Sequence, residues 1–150
     1  MKRFCDFSTK SPWALEMKID IFTGTITFSG GSLWRKMSRA EFLESPIGKG
    51  ARPLNVNEPF ARYGFRPESG IAASAQFRGS HLEHVAFGFD LPNDSPENWT
   101  EQHELQRKSR HDDWLRREFG KPPYSFAWGE VASEFSARDC ESDIAVIYKD

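Results

Sequence analysis

At 150 residues, the chain has the length of one ordinary domain and can bury a core without crosslinks. Its 13 Phe and 5 Trp exclude a disordered chain, and two widely separated cysteines supply neither a disulfide framework nor a zinc motif. A net charge of −2 argues against a nucleic-acid partner, and no apolar stretch is long enough for a membrane span. We therefore expect a single cytoplasmic domain over residues 1–150, with an irregular N-terminal extension at 1–14.

The first predicted elements are a hairpin and a short helix. Apolar and polar residues alternate over Leu15–Phe22, and strand-forming residues resume at Thr25–Phe28, which predicts a hairpin turning at Thr23-Gly24. The segment Ser38–Glu41 has the spacing of a capping box, in which each side chain satisfies the other residue's backbone N–H. A short helix is therefore expected at about 39–44.

The middle of the chain predicts a loop followed by strands. Proline and glycine recur through residues 45–59, so an irregular surface loop is expected there. Gly79-Ser80 is typical of a two-residue hairpin turn. Three strands are predicted around it: Ala61–Arg66, Ile71–Arg78 and His81–Leu91.

A long helix is predicted in the C-terminal half. Ser95 can cap it, Pro96 suits its first turn, and Gly120 with two following prolines marks its end, so we place it at about 96–119. Two strands follow, at Tyr124–Phe135 and Asp143–Tyr148, joined by a polar loop. The fold class expected is α+β, a mainly antiparallel sheet with one long and one short helix.

This long helix is polar around most of its circumference. We interpret five residues as its apolar anchors: Trp99, Leu105, Trp114, Leu115 and Phe119. A helix of this kind is either held at its ends and by charge pairs, or presents a face to a partner. The sequence leaves both interpretations open.

The charge is unevenly distributed along the chain. Residues 1–78 carry 12 Lys and Arg against 7 Asp and Glu, whereas residues 79–150 carry 8 against 15. Such an imbalance influences association and steering. The alternative is that the two halves intermix in the fold and their fields largely cancel.

No motif indicates a catalytic, metal or cofactor site. His81 and His84 are three apart, so on a regular strand they point to opposite faces and cannot share a metal ion without a bulge. His103 and His111 are eight apart on a helix, or about 12 Å, which is too far for one ion. Cations alternate with aromatic residues over 60–78 as in some RNA-binding sheets, but alternating aromatics on strands usually form the core.

The C-terminal third resembles small bacterial immunity proteins of polymorphic toxin systems. The resemblance rests on the segment Arg110–Tyr124, which reads as H-D-x-W-L followed by G-x-P-P-Y, on Trp128–Val131 and on the terminal strand ending at Tyr148. The turn at Ser136–Glu141 departs from the Asp-Pro-Arg-Ser-Gly-like turn of such proteins, which puts the partner-contacting residues in doubt. These motifs identify a fold better than an activity.

The resemblance implies a non-enzymatic cytoplasmic protein that occludes the active site of a cognate toxin domain and uses no cofactor. Because toxins that attack nucleic acids often have basic clefts, we expect acidic residues of the long helix and the last hairpin to contact the partner. These are Asp94, Glu97, Glu101, Glu104, Asp112, Asp113, Glu130, Glu134, Asp139 and Glu141. Two alternatives stay open: a small hydrolase or nuclease using His84 or His111 with nearby carboxylates, and a non-catalytic adaptor.

Overall fold

The computed structural model describes residues 16–92 and 94–150. The expected extension at 1–14 lies outside these residues. The strands are β1 (Lys18–Ile19), β2 (Ile26–Phe28), β3 (Gly31–Leu33), β4 (Arg52–Asn57), β5 (Phe60–Glu68), β6 (Ile71–Arg78), β7 (His81–Phe89), β8 (Tyr124–Phe126), β9 (Gly129–Ser136) and β10 (Glu141–Tyr148). The α-helices are α1 (Arg39–Glu44), α2 (Pro46–Lys49) and α3 (Glu101–Phe119), and a 3-10 turn spans Pro96–Asn98.

Two antiparallel sheets organise the molecule. The larger sheet has seven strands in the order β4-β5-β6-β7-β10-β9-β8, and the smaller has the order β1-β2-β3. The predicted α+β class is confirmed. None of the helices in the part of the chain described here is long and apolar enough to cross a membrane.

The core lies on one face of the seven-stranded sheet, called here the core face. Phe42 of α1 packs its ring against Tyr63 and Phe77, with ring centroids 5.6 and 5.3 Å apart. Trp114 of α3 contacts Phe87 edge to face, and Phe28 of the small sheet contacts the same ring from another side. Helices α1 and α3 and the small sheet therefore cover the same face. The expectation that the mid-chain aromatics form the core holds for Tyr63, Phe65 and Phe77 but is wrong for Phe60, which is 37% exposed.

The predicted short helix is confirmed, but the loop predicted at 45–59 is wrong. Ser38 and Glu41 form the reciprocal capping box, and α1 begins at Arg39. Ser45 then caps a second short helix, because its side chain accepts from the backbone N–H of Gly48. Edge strand β4 follows. Its six residues are all exposed, so no buried alternation reveals it, and an edge position tolerates Pro53.

The N-terminal hairpin is present in shortened form, as β1 and β2. Leu15 lies outside the described residues, and Ile21, expected on the buried side, is 44% exposed. Distant residues hold its turn: the Trp128 indole N–H donates to the carbonyl of Ile21 at 2.9 Å, and the Tyr148 hydroxyl donates to the carbonyl of Gly24 at 2.6 Å. The residues that carry the C-terminal resemblance thus join the two ends of the fold.

The long helix begins later than predicted. Ser95 caps only the 3-10 turn, and Thr100 caps α3 by accepting from the N–H of His103. Gly120 ends α3 with φ of 89°, as its position before the prolines predicted. Of the five expected anchors, Trp114 and Leu115 are buried and Phe119 packs against the core. Trp99 and Leu105 are instead exposed by 44% and 49%.

The strand predicted at Tyr124–Phe135 is two strands. A turn at Ala127-Trp128 separates β8 from β9, which then pair with each other. Gly129 follows this turn with φ of 154°, and a Cβ there would lie 2.0 Å from the carbonyl oxygen of Ile147. The turn therefore requires glycine, and the predicted terminal hairpin is confirmed between β9 and β10.

Candidate functional surface

The polar first half of α3 is tied to the end of the sheet by a buried carboxylate. Glu104 is only 5% exposed, although it is ionisable and lies in the helix's first turns. It accepts hydrogen bonds from the Trp99 indole N–H at 3.1 Å, from Arg107 at 3.2 Å and from the backbone N–H of Ser142 at 3.0 Å. One side chain thus links the 3-10 turn, the helix and β10.

Arg107 completes this network. It pairs with Asp94 at 2.8 Å and donates to the carbonyl of Phe89 at the end of β7. Burial alone would lower the pKa of Arg107, but the hydrogen bonds that it donates to Glu104 and Asp94 outweigh burial and raise the pKa. Charge pairs therefore hold this helix segment, which was one of the two interpretations left open by its polarity.

His111 is a structural residue at the middle of α3. It is fully buried, its Nε2 accepts from the backbone N–H of Phe89 at 3.1 Å, and its ring meets that phenylalanine edge to face. Burial, reinforced by the charge of Arg107, lowers the pKa of His111 to about 3. The imidazole is therefore neutral at physiological pH and its accepting nitrogen is already occupied.

The opposite face of the large sheet, called here the open face, is polar. Strand register places Arg62, Gln76, His84, Ile147 and Glu130 in one row across five strands. Arg62 and Glu130 are exposed in this row, and Ile147 is 37% exposed. The face is therefore available to solvent or to a partner.

A groove of about 350 Å³ lies on the open face beside the start of α3. The groove is recessed because the residues that β6 and β7 place at its floor are small. They include Ala72, Ser74, Ala86 and Gly88. Its walls are charged: Arg62, Arg66, Asp90, Asp94, Glu104, Arg107, Glu141 and Asp143.

The charge imbalance of the sequence is visible across this groove. Arg62 and Arg66 stand on β5, from the basic half of the chain, and Asp143 stands on β10, from the acidic half. Burial raises the pKa of Asp143 to about 6, and the carboxylates of Glu134 and Glu141 push it the same way. In the large sheet, the strands of the basic half thus lie side by side, and the strands of the acidic half follow them without alternating with them.

None of the four histidines lines the groove. A bulge between β6 and β7 brings Gln76 opposite His84 and Arg78 opposite His81, so both imidazoles share the open face. Burial and the charge of Arg62 lower the pKa of His84, which does not line the groove. Within residues 16–92 and 94–150, no three His, Cys, Asp or Glu side chains are grouped to hold a metal ion.

The ten acidic residues singled out in the sequence fall into distinct places. Glu104 is buried and Asp94 is half-buried in the Arg107 network. Asp112 and Glu130 line a cleft of about 380 Å³ between α3 and β9, where Asp112 pairs with Lys108 at 3.1 Å. The remaining six lie on the surface: Glu97, Glu101, Asp113, Glu134, Asp139 and Glu141.

Four of these carboxylates lie at one end of the molecule. The hydrogen bond from Ser142 to Glu104 places the start of α3, with Glu97 and Glu101, beside the turn that carries Asp139 and Glu141. Arg138 is the exposed cation in the same segments, 97–106 and 137–141. We call the surface formed by these four exposed carboxylates the acidic end.

Comparison with known proteins identifies the fold and leaves the family open. No family model matches the sequence, and no curated protein matches it. A chain of a solved complex, described as Rhs1-CT with its cognate immunity protein RhsI1, matches with a TM-score of 0.57 at 12% identity. The match covers 89% of this chain and 87% of that chain. At this identity the likeness shows a shared fold.

Neither the groove nor the exposed position of Trp99 was predicted from the sequence. The polar face that carries the groove could have been inferred from β5, because Arg62, Gly64 and Arg66 alternate with Tyr63 and Phe65. The exposure of Trp99 had no such signal. It follows from the late start of α3, which leaves Trp99 between two capped turns.

Proposed function

We propose that this protein is an immunity protein that binds a cognate toxin domain and blocks its active site. The observation that carries the proposal is the fold match along nearly the whole chain to a chain of a complex containing an immunity protein. The sequence motifs that resemble immunity proteins agree with it. We further propose that the protein acts in the cytoplasm.

The partner-binding surface consists of exposed carboxylates on a fixed scaffold. Glu104 is excluded from it, since it is buried and its oxygens already accept from three donors. Glu97, Glu101, Asp139 and Glu141 form no salt bridge with another residue of the described ranges, and they project from elements that the Glu104 network joins. Such a surface favours rapid capture of a basic active-site cleft, because opposite charges steer encounter and fix orientation.

The decisive experiment is co-expression with the toxin domain encoded by the neighbouring reading frame. We expect that the toxin domain alone arrests growth, that co-expression restores growth, and that the two proteins co-purify. A toxin domain from an unrelated locus serves as the control and should be neither neutralised nor retained. Failure of both rescue and co-purification would refute the proposal.

The enzymatic alternative is tested with the same assay. His111 is engaged in the core, so His84 is the residue on which that alternative would depend. We expect His84→Ala to rescue growth as fully as the unaltered protein, because a binding protein needs no proton transfer. Loss of rescue by a folded His84→Ala protein that still binds the toxin would favour catalysis.

A further inference from the structure

Trp99 is an exposed residue whose side chain is held in place by a hydrogen bond to a buried carboxylate. Its ring is 44% exposed, yet its indole N–H donates to the buried carboxylate of Glu104. That carboxylate is itself held by Arg107 and by the backbone of Ser142. A large aromatic ring already fixed before binding loses little conformational entropy in a complex, which is typical of an energetically dominant contact.

A second exposed apolar side chain follows in the first turns of α3. Leu105 follows Glu104 in α3 and is 49% exposed, so it is turned outward where its neighbour is turned inward. Both lie in segment 97–106, which together with segment 137–141 carries four exposed carboxylates against the one guanidinium of Arg138. The result is an apolar centre within a negatively charged surface.

Trp34 provides an internal comparison. Its ring is 37% exposed, close to the value for Trp99, but it precedes two cations, Arg35 and Lys36. Arg35 is directed to the backbone carbonyls of Lys149 and Asp150. Within the described residues, Trp34 and Trp99 are thus two indoles of similar exposure, one followed by cations in the sequence and the other flanked by carboxylates.

We infer that Trp99 and Leu105, within the acidic end, form the centre of the interface with the toxin domain, and that the surface they receive is basic. The inference rests on the proposed function and names the part of the surface that performs it. A Lys or Arg of the partner placed over the Trp99 ring gains from the ring's negative face and from the surrounding carboxylates. The indole of Trp34, beside cations, offers no such site to a basic surface.

The test measures affinity for the purified toxin domain by calorimetry, with Trp99→Ala, Leu105→Ala and Trp34→Ala variants of the full chain. Removing a central aromatic contact should weaken binding by at least about 30-fold for Trp99→Ala, and by about 10-fold for Leu105→Ala. Trp34→Ala, the matched control, should stay within about 3-fold of the unaltered protein. Thermal unfolding of each variant establishes that it is folded.

Charge reversal supplies a second readout that does not depend on the Trp99 contact with Glu104. The double variant Glu97→Lys, Glu101→Lys should slow association by about 10-fold at low salt and reduce its salt dependence. The inference is overturned if the unaltered protein binds the toxin domain and the Leu105→Ala and double variants bind it as tightly as the unaltered protein does. If the unaltered protein does not bind at all, the proposed function itself has failed.

Discussion

The two halves of α3 are attached to the same sheet by different means. The C-terminal half packs Trp114 against Phe87 and Phe89, as the apolar pattern of the sequence predicted. The N-terminal half is held by Glu104 and Arg107, which bind the backbone groups at the ends of β7 and β10. A helix segment without an apolar stripe can thus be fixed by satisfying strand ends, and its outward face stays free for a partner.

The largest effect is expected from the aromatic half. Trp114→Ala removes a buried ring that contacts three others, and should lower the free energy of unfolding by about 4 kcal/mol. Urea denaturation measures the loss, which should not change with salt. Trp34→Ala, at an exposed site, should cost less than about 1 kcal/mol. Equal losses for the two variants would show that Trp114 does not anchor the helix.

The ionic half should be nearly as sensitive. Glu104→Ala leaves Arg107 with Asp94 as its remaining acidic partner and removes the acceptor for Ser142, so it should cost about 3 kcal/mol. Glu101→Ala is the matched control, an exposed glutamate one turn earlier, and should cost about 0.5 kcal/mol. Urea denaturation of both variants measures the two losses in the free energy of unfolding. Equal costs would mean that the buried network contributes nothing.

His111, between the two halves, should make stability depend on pH. Its pKa is about 3 in the folded state and about 6.5 when unfolded, so folding favours the neutral ring. The contribution is complete above about pH 6.5 and is lost as the pH falls towards 3; between pH 7.5 and 5 it amounts to about 2 kcal/mol. His111→Gln, which keeps an acceptor for Phe89, should remove this loss in urea titrations. An unchanged pH dependence would contradict the assignment.

The smallest effect on the free energy of unfolding is expected at Asp143 on β10, the strand to which Glu104 ties the N-terminal half of α3. Asp143, next to Ser142, has a pKa raised to about 6, so its charged form is disfavoured above that pH and the penalty disappears as the pH falls below it. Asp143→Asn should therefore stabilise the protein by about 1 kcal/mol at pH 8, after allowing for solvent screening, and by less at pH 5. Asp113→Asn, on the exposed side of α3, should change little at either pH. A destabilising Asp143→Asn would show that the charge is favourable.

The sequence predicts those parts of the fold where one local rule acts alone. The Ser38 capping box fixed α1, the hairpin turn at Gly79-Ser80 is present, and Gly120 ended α3. Prediction from the sequence failed at β4, whose exposed residues carry no burial pattern, and at Leu105, whose apolar side chain does not reach the core. Of the surface, the acidic character could be predicted, but the burial of Glu104 could not, because it depends on Ser142, 38 residues away in sequence.

Hydrogen exchange of the chain with and without the cognate toxin domain tests whether the acidic end is the binding surface, because it locates the covered backbone without altering any side chain. We expect slower exchange on binding at residues 97–106 and 137–142, the segments that the Glu104 network joins, and little change at 34–40 around Trp34. Protection confined to 34–40 or to edge strand β4, with the acidic end unchanged, would contradict it.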